Sequence, residues 1–256
     1  QSFIGRRDCP LLGMAIDLWA AGATGDDTYR AAEKRYFELS KGGPEAIEAD
    51  AETPDTVKQT KPKVPKMRPG MISPYDDLFK RHAKSLGWDW RLLAAIAYFE
   101  SHFRPNAVAW TGAKGLMGIM PSTARALGFR YEEMSDPEKN IRAGIECLRR
   151  FRGSFPAASE EERVKLTLAS YNAGVGHIND AQRLAKKYGH NPNVWTDNVA
   201  EYIRLKAEPK YYTDSVCRFG YLRGRETYRY VDAVLGRYHH YRELTEKQTA
   251  EKTEKE

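Results

Sequence analysis

The stretch YFESHFRPNAVAWTGAKGLMGIMP, residues 98–121, joins a strongly apolar run to a segment rich in glycine and methionine. The sequence WRLLAAIAYFESHF, residues 90–103, is apolar on nearly every side, which is typical of a central buried helix. Asp89 is placed to cap the start of this helix, and Pro105 marks its end. Glu100 therefore lies in the last turn, where it is either a catalyst or only the polar end of a core helix.

The position of Glu100 favours the protonated form of its carboxyl group. The helix dipole leaves partial negative charge at this end, and apolar neighbours remove water from the carboxylate. A carboxylic acid that stays neutral near pH 7 can donate a proton to a leaving-group oxygen, as glycosidic cleavage requires. The alternative is that Glu100 faces water or caps a neighbouring loop, since most glutamates are exposed.

Helix signals follow one another along the rest of the chain, so we predict a mainly α fold. The loop-like exception is residues 210–222, which we expect to be irregular. Three helices are predicted with both bounds, at Pro121 to Gly128, at roughly 160–173 and at 226–244. Two more are predicted by their starts, one at a capping box formed by Ser135 and Glu138 and one after Gly176.

Composition divides the chain into four parts. Residues 1–43 hold one amphipathic helical pattern, which we interpret as the end of a larger domain or as a helical extension. Residues 44–70 carry repeated prolines and few large apolar side chains, which is typical of an extended linker. We expect the main helical domain over residues 71–245 and a polar, fraying tail over residues 246–256.

The formal charge of +6 suggests an acidic partner, such as nucleic acid, an anionic membrane surface or a cell-wall polymer, although an ordinary basic surface is equally consistent.

Cys9, Cys147 and Cys217 are widely spaced and form no CxxC pair, and the six histidines show no ligand spacing, so we predict no metal. No run is apolar enough to span a bilayer. Because no signal-like segment begins the chain, we expect any targeting signal to lie outside it.

Three ordered motifs resemble those of the soluble-lytic-transglycosylase (SLT) family of peptidoglycan-cleaving enzymes. They run in the family's order and are ESHFRPNAVAWTGAKGLMGIMPSTA at 100–124, ASYNAGVGHI at 169–178 and RGRETYRYVDAVLGRY at 223–238. The resemblance implies a lysozyme-like helical domain, of the goose-type lysozyme and SLT kind, over residues 71–245, with a helical N-terminal extension.

The resemblance makes Glu100 the sole catalytic acid and base and implies a set of substrate-binding residues, with no cofactor. Taken alone, the methionines of this set fit core packing equally well, and its threonine fits a helix start. The implied substrate-binding residues are Tyr171, Asn172, Met117, Met120, Thr123, Glu226 and Tyr230.

Two positions depart from the family pattern. Ala109 stands where the family usually has serine, and Gly118 stands where it usually has glutamine. A hydroxyl and an amide that would bind the sugar are therefore missing, which puts substrate affinity in doubt more than activity.

By resemblance, Glu100 would protonate the oxygen between MurNAc and GlcNAc. As a base, it would then take the proton of the MurNAc C6 hydroxyl, so that a 1,6-anhydro ring closes without water. One alternative is a lysozyme-like muramidase, with Glu226 or another acid as the second carboxylate. Another is a non-catalytic peptidoglycan-binding protein. No nucleic-acid motif appears, so we expect no nucleic-acid partner.

The sequence TYRAAEKRYFELSKG, residues 28–42, followed by the linker and residues 72–101, resembles the junction in the F-type, membrane-bound members of the family. In those members a periplasmic solute-binding-like domain precedes the catalytic domain, so residues 1–43 would be the end of the binding domain. The implied location is the cell envelope, in the periplasm, with peripheral association to the outer membrane. The sequence does not predict an oligomeric state.

Overall fold

The structure is a computed structural model that describes residues 67–68 and 70–253, with side chains as far as residue 248. The helix predicted within residues 1–43 and almost all of the linker predicted at 44–70 lie outside the described residues. Within them, the prediction of a mainly α protein is confirmed, since helices dominate and only isolated bridges occur in place of strands.

The described residues form nine α-helices, one 3₁₀-helix at Tyr131–Ser135 and one irregular π-type turn at Trp195–Val199. The α-helices are α1 Asp76–Ala83, α2 Trp90–Ser101, α3 Pro121–Ala126, α4 Pro137–Gly153, α5 Glu160–Ala173, α6 Val175–Lys187, α7 Ala200–Leu205, α8 Pro209–Tyr212 and α9 Gly224–Thr253.

Helix α2 is the central buried helix that the sequence predicts. The Asp89 carboxylate caps it by accepting a 3.0 Å hydrogen bond from the Arg91 backbone N–H. Residues 92–97 are all buried. The helix ends two residues earlier than predicted because His102 and Phe103 adopt positive φ angles of 51° and 60°.

Helix α9 packs antiparallel to α2, so its first half lies beside the C-terminal end of α2. The Tyr238 hydroxyl donates to the Asp89 carboxylate over 3.3 Å, at the N-terminal end of α2. In between, the Arg237 guanidinium lies 4.1 Å from the centre of the Tyr98 ring. This arrangement sets an early residue of α9 against the end of α2 that carries Glu100.

The start of α4 differs from the predicted capping box. Ser135 ends the preceding 3₁₀-helix, and Asp136 is the capping residue, whose carboxylate accepts a 2.8 Å hydrogen bond from the Lys139 backbone N–H. Pro137 then occupies the first helical position, which its fixed φ favours. The prediction of Ser135 as the cap is therefore wrong by one residue.

Helix α6 begins at Val175, before the predicted start, because Gly174 takes a positive φ of 86° and turns the chain directly from α5 into α6. The prediction that residues 210–222 are irregular is confirmed for 213–222 but wrong for 210–212, which belong to the short helix α8.

The last helix, whose predicted pattern ends at residue 244, continues to Thr253. The Glu246 carboxylate pairs with Arg242 at 3.5 Å, one turn earlier, and with Arg91 of α2 at 3.7 Å. A polar sequence can continue a helix when such pairs hold it to a neighbour.

Candidate active site

Glu100 occupies the last turn of α2, with most of its surroundings apolar. Burial raises the pKa of its carboxyl group from 4.5 to about 7, and it does so against the opposing effect of one hydrogen bond. A carboxylic acid with this pKa is largely protonated below neutral pH, so it can donate a proton. After donation, its carboxylate form can accept a proton again. The side chain is therefore suited to work as an acid and as a base at the same pH.

The hydrogen bond to Glu100 comes from Tyr230 of α9, whose hydroxyl donates to Oε1 over 2.7 Å. Burial raises the pKa of Tyr230 well above its usual value, so the phenol stays neutral and acts as a donor. The bond favours the ionised carboxylate and lowers the pKa of Glu100 against the effect of burial. Because Oε1 accepts from Tyr230, Oε2 is the carboxyl oxygen left free to carry the acid proton.

Residues 114–119, which we call the glycine loop, lie next to this carboxylate. Lys114 and Ile119 close the loop by exchanging two backbone hydrogen bonds of 3.0 and 2.9 Å. Near the end of the loop, Gly118 faces Glu100 so closely that an added Cβ would lie 2.6 Å from Oε2. The position of this loop therefore determines how much free space lies beside Oε2 of Glu100.

The buried Asn140 of α4 holds the glycine loop from one side. Its amide oxygen accepts a 2.7 Å hydrogen bond from the Met117 backbone N–H. Its amide nitrogen donates to the carbonyl oxygens of Lys114 and Met134, each over 2.9 Å. One side chain thus hydrogen-bonds three buried backbone groups. Without it, these groups would lose their hydrogen bonds to water and gain none in return, which is unfavourable.

Two hydroxyl groups hold the loop from other helices. The Ser101 hydroxyl lies 2.9 Å from the Leu116 carbonyl oxygen and 3.1 Å from that of Ala97. The Tyr171 hydroxyl of α5 donates to the Met117 carbonyl oxygen over 2.7 Å. Helices α2, α4 and α5 therefore fix the loop beside Glu100.

The substrate-binding residues implied by the resemblance are only partly brought together. Tyr230 contacts Glu100 directly, whereas the hydroxyl of Tyr171 is engaged with the glycine loop. The side chain of Met117 is fully buried and packs against Gly144, where an added Cβ would lie 2.9 Å from it. The expectation that the Met117 side chain lines a groove is corrected, because only its backbone takes part in the site.

The other implied residues remain accessible to a ligand. Met120 is 37% exposed, Asn172 is exposed and Thr123 is half-buried. Glu226 is an exposed side chain one turn before Tyr230 on α9, with Arg223 at 4.0 Å. Residues four apart share a face of a helix, so Glu226 extends the side of α9 that carries Tyr230.

Sequence reasoning did not single out Ser101 or Asn140. Ser101 directly follows Glu100, and serine is a residue type whose short hydroxyl group can bond backbone carbonyl oxygens at a buried helix end. Asn140 precedes Ile141 on the apolar face of α4, and an amide at such a position signals buried backbone groups that need partners.

Among the residues that the structure describes, no group of three or more His, Cys, Asp or Glu side chains is placed to hold a metal ion. Cys147 and Cys217 are free thiols, and burial raises the pKa of Cys147 to about 12. In the same part of the chain, no helix combines the length and the apolar character needed to cross a membrane.

Comparison with known proteins places these residues in a recognised domain. Residues 77–194 match the family described as Transglycosylase SLT domain. The chain is 45% identical over 161 residues to a membrane-bound lytic murein transglycosylase F of Marinobacter nauticus, covering 62% of this chain and 31% of that protein. It is 42% identical over 161 residues to a protein of the same name from Photobacterium profundum, covering 62% and 30%.

The chain thus spans about a third of the length of these relatives. A solved structure, the 70 kDa soluble lytic transglycosylase of Escherichia coli, aligns with a TM-score of 0.48 and 26% identity over 66% of this chain and 24% of that one. Over residues 77–194, the chain is therefore similar to the transglycosylase SLT domain family.

Proposed function

We propose that this protein is a peptidoglycan lytic transglycosylase, which cleaves the β-1,4 bond between MurNAc and GlcNAc and leaves 1,6-anhydroMurNAc ends. The observation that carries the proposal is the partly buried Glu100, with a pKa of about 7 and a hydrogen bond from Tyr230. Relatives that are 45% and 42% identical over 161 residues are named lytic murein transglycosylases, which supports the same reaction class.

In the first step, protonated Glu100 donates its proton from Oε2 to the glycosidic oxygen. The bond between that oxygen and C1 of MurNAc breaks, and GlcNAc leaves with a 4-hydroxyl group. Positive charge develops at C1, where the N-acetyl carbonyl oxygen of the same sugar supports it. Glu100 is now a carboxylate, which the Tyr230 hydroxyl stabilises through its bond to Oε1.

In the second step, the carboxylate takes the proton of the C6 hydroxyl of MurNAc. The freed oxygen attacks C1 and closes the 1,6-anhydro ring. Glu100 returns to its protonated form, and no water is consumed. A pKa near 7 suits both steps, because one group must give and accept a proton at the same pH.

The surroundings of Glu100 favour this reaction over hydrolysis by two carboxylates. A retaining glycosidase places its second carboxyl group about 5 Å from the first. Such a neighbour would raise the pKa through its charge, yet within the described part of the chain only burial and Tyr230 shift the pKa of Glu100.

The proposal extends to substrate and location. We assign the exposed or half-buried Met120, Thr123, Asn172 and Glu226 to glycan binding, and the net charge of +6 suits an anionic wall polymer. We assign the protein to the periplasm, with association to the outer membrane. Residues 71–245 would form the catalytic domain, behind a linker at 44–70 and the end of a solute-binding-like domain at 1–43.

Zymography on gels that contain peptidoglycan tests this proposal. The wild type and the control Glu243→Gln, which changes an exposed glutamate of α9, are expected to give clear bands. Glu100→Gln is expected to give none, since loss of a general acid lowers rates by about 10² to 10⁴-fold. Clearing by Glu100→Gln, or no clearing by the wild type, would contradict the proposal.

A further inference from the structure

Residues 216–222 run between α8 and α9, and a buried carboxylate holds them in place. The Asp180 carboxylate of α6 accepts hydrogen bonds from the backbone N–H groups of Arg218 and Phe219, over 2.9 and 2.8 Å. It also accepts from the Lys206 ammonium over 2.5 Å, and both side chains of this ion pair are fully buried. A buried charge whose hydrogen bonds are satisfied makes its surroundings rigid, so the backbone at Phe219 has a set position.

The Phe219 ring lies over the start of α6 and is open to solvent on its other side. It is 55% exposed, and it covers Gly176, where an added Cβ would lie 2.5 Å from the ring. Its centre lies 6.0 Å from the centre of the His177 ring. A ring that is supported on one side and open on the other can stack against the apolar face of a sugar.

The ends of two helices that reach Glu100 meet at Phe219. Gly176 belongs to the first turn of α6, which follows α5 directly, and Tyr171 near the end of α5 donates to the glycine loop beside Glu100. On the other side, residues 216–222 lead into α9, whose Tyr230 donates to Glu100. The open ring therefore borders the region in which a glycan strand held at Glu100 would continue.

The start of α9 carries positive charge. Arg225 and Arg229 are exposed and lie four residues apart, so they form one row along the helix. The next row holds Glu226 and Tyr230 of the candidate active site. The peptide stems of peptidoglycan carry free carboxylates, with which a guanidinium group pairs well. This row of arginines is therefore placed to meet a stem on a strand that passes Tyr230.

We propose that Phe219, Arg225 and Arg229 form a second contact surface for the glycan strand, away from the cleaved bond. The Phe219 ring stacks on a sugar, and the two arginines pair with carboxylates of a peptide stem. The inference rests on the proposed function and adds the peptide stem to what the protein recognises. Peptidoglycan is favoured over an anionic membrane because α9 joins this surface directly to Tyr230, the partner of Glu100.

The test measures binding in the full chain with Glu100→Gln as the background, so that cleavage does not interfere. Isothermal titration calorimetry gives the dissociation constant for soluble glycan strands with their stems, and for the same strands after an amidase has removed the stems. Phe219→Leu keeps an apolar side chain without a ring and should weaken binding to both kinds of strand about tenfold. Phe219→Tyr keeps the ring and should bind as the background does.

Leu244→Ala is the matched control, because it truncates a 39% exposed apolar side chain near the other end of α9. It should bind both kinds of strand as the background does. Circular dichroism confirms that each variant is folded.

The double variant Arg225→Gln with Arg229→Gln isolates the contribution of charge. It should weaken binding to strands with stems about fivefold at low salt, and this difference should shrink at high salt, which screens exposed charges. Strands without stems should bind it as they bind the background.

Equal binding by Phe219→Leu and Phe219→Tyr would overturn the proposal, and so would an arginine effect that is the same with and without stems. Vesicles that contain phosphatidylglycerol are the probe for a membrane. Variants that lose binding to these vesicles but keep binding to glycan strands would also overturn it. Failure of the proposed function is distinct, because the wild type would then release no anhydro products while the effects on binding persist.

Discussion

The Tyr230 hydroxyl donates a 2.7 Å hydrogen bond to Oε1 of Glu100, although the two residues are 130 positions apart in the chain. The antiparallel packing of α9 on α2 brings them together. The bond occupies Oε1 and leaves Oε2 free for the acid proton, and burial raises the pKa of the carboxyl group to about 7. The chemistry of the site therefore depends on a contact between the second and the last helix of the described residues.

The first prediction concerns the pH dependence of activity. Glu100 must be protonated to begin the reaction, so kcat/KM should fall as pH rises, with a midpoint of about 7. Initial rates on soluble glycan strands between pH 5 and 9 measure it. A falling limb centred near pH 4.5, the ordinary value for a glutamate, would contradict the raised pKa of Glu100.

Tyr230→Phe should raise the pKa of Glu100 further and lower activity. The lost hydrogen bond had stabilised the carboxylate, so the falling limb of kcat/KM moves to higher pH, and kcat at pH 6 drops roughly tenfold. Tyr228→Phe, on the same helix, is the control for loss of a phenol hydroxyl. A falling limb that stays in place or moves to lower pH would show that the bond does not act on Glu100.

Glu100→Gln should change how stability depends on pH. The pKa of Glu100 is higher in the folded chain, at about 7, than the ordinary 4.5, so the wild type loses stability as pH rises between these values. The loss is on the order of 3 kcal/mol. Glu100→Gln removes it, so urea unfolding should favour the variant by more at pH 8 than at pH 4. Parallel behaviour of the two proteins at both pH values would contradict the shift.

Asn140→Asp should destabilise the glycine loop, because it replaces an amide donor with an acceptor that faces two carbonyl oxygens. With buried backbone groups left unpaired, the free energy of unfolding should fall by about 2 to 3 kcal/mol. Asn106→Asp makes the same change at an exposed position and should leave stability nearly unchanged. Equal melting temperatures for the two variants would show that Asn140 does not hold the loop.

The sequence was sufficient to predict the elements that depend on local signals. The apolar run, Asp89 and Pro121 specified a buried helix, its cap and the start of the next helix, and the structure contains all three. The capping-box spacing of Ser135 and Glu138 predicts Ser135 as the cap, but the preceding 3₁₀-helix includes Ser135, so Asp136 caps α4 instead.

The features that depend on tertiary contacts were harder to predict. Burial of Met117 follows from the space above Gly144 in another helix, which no local pattern encodes. The close approach of Gly118 to the Glu100 carboxylate likewise depends on tertiary packing, which the order of residues does not reveal. The continuation of α9 past residue 245 similarly relies on contacts of Glu246 with Arg91 of α2.

The central claim is that Glu100 alone, as acid and then as base, catalyses a non-hydrolytic cleavage of peptidoglycan. Mass spectrometry of purified sacculi after digestion tests it most directly, because an anhydro end is lighter than a reducing end by one water. The account predicts that the wild type releases 1,6-anhydroMurNAc products and that Glu100→Gln releases none. Products with reducing ends only would contradict it.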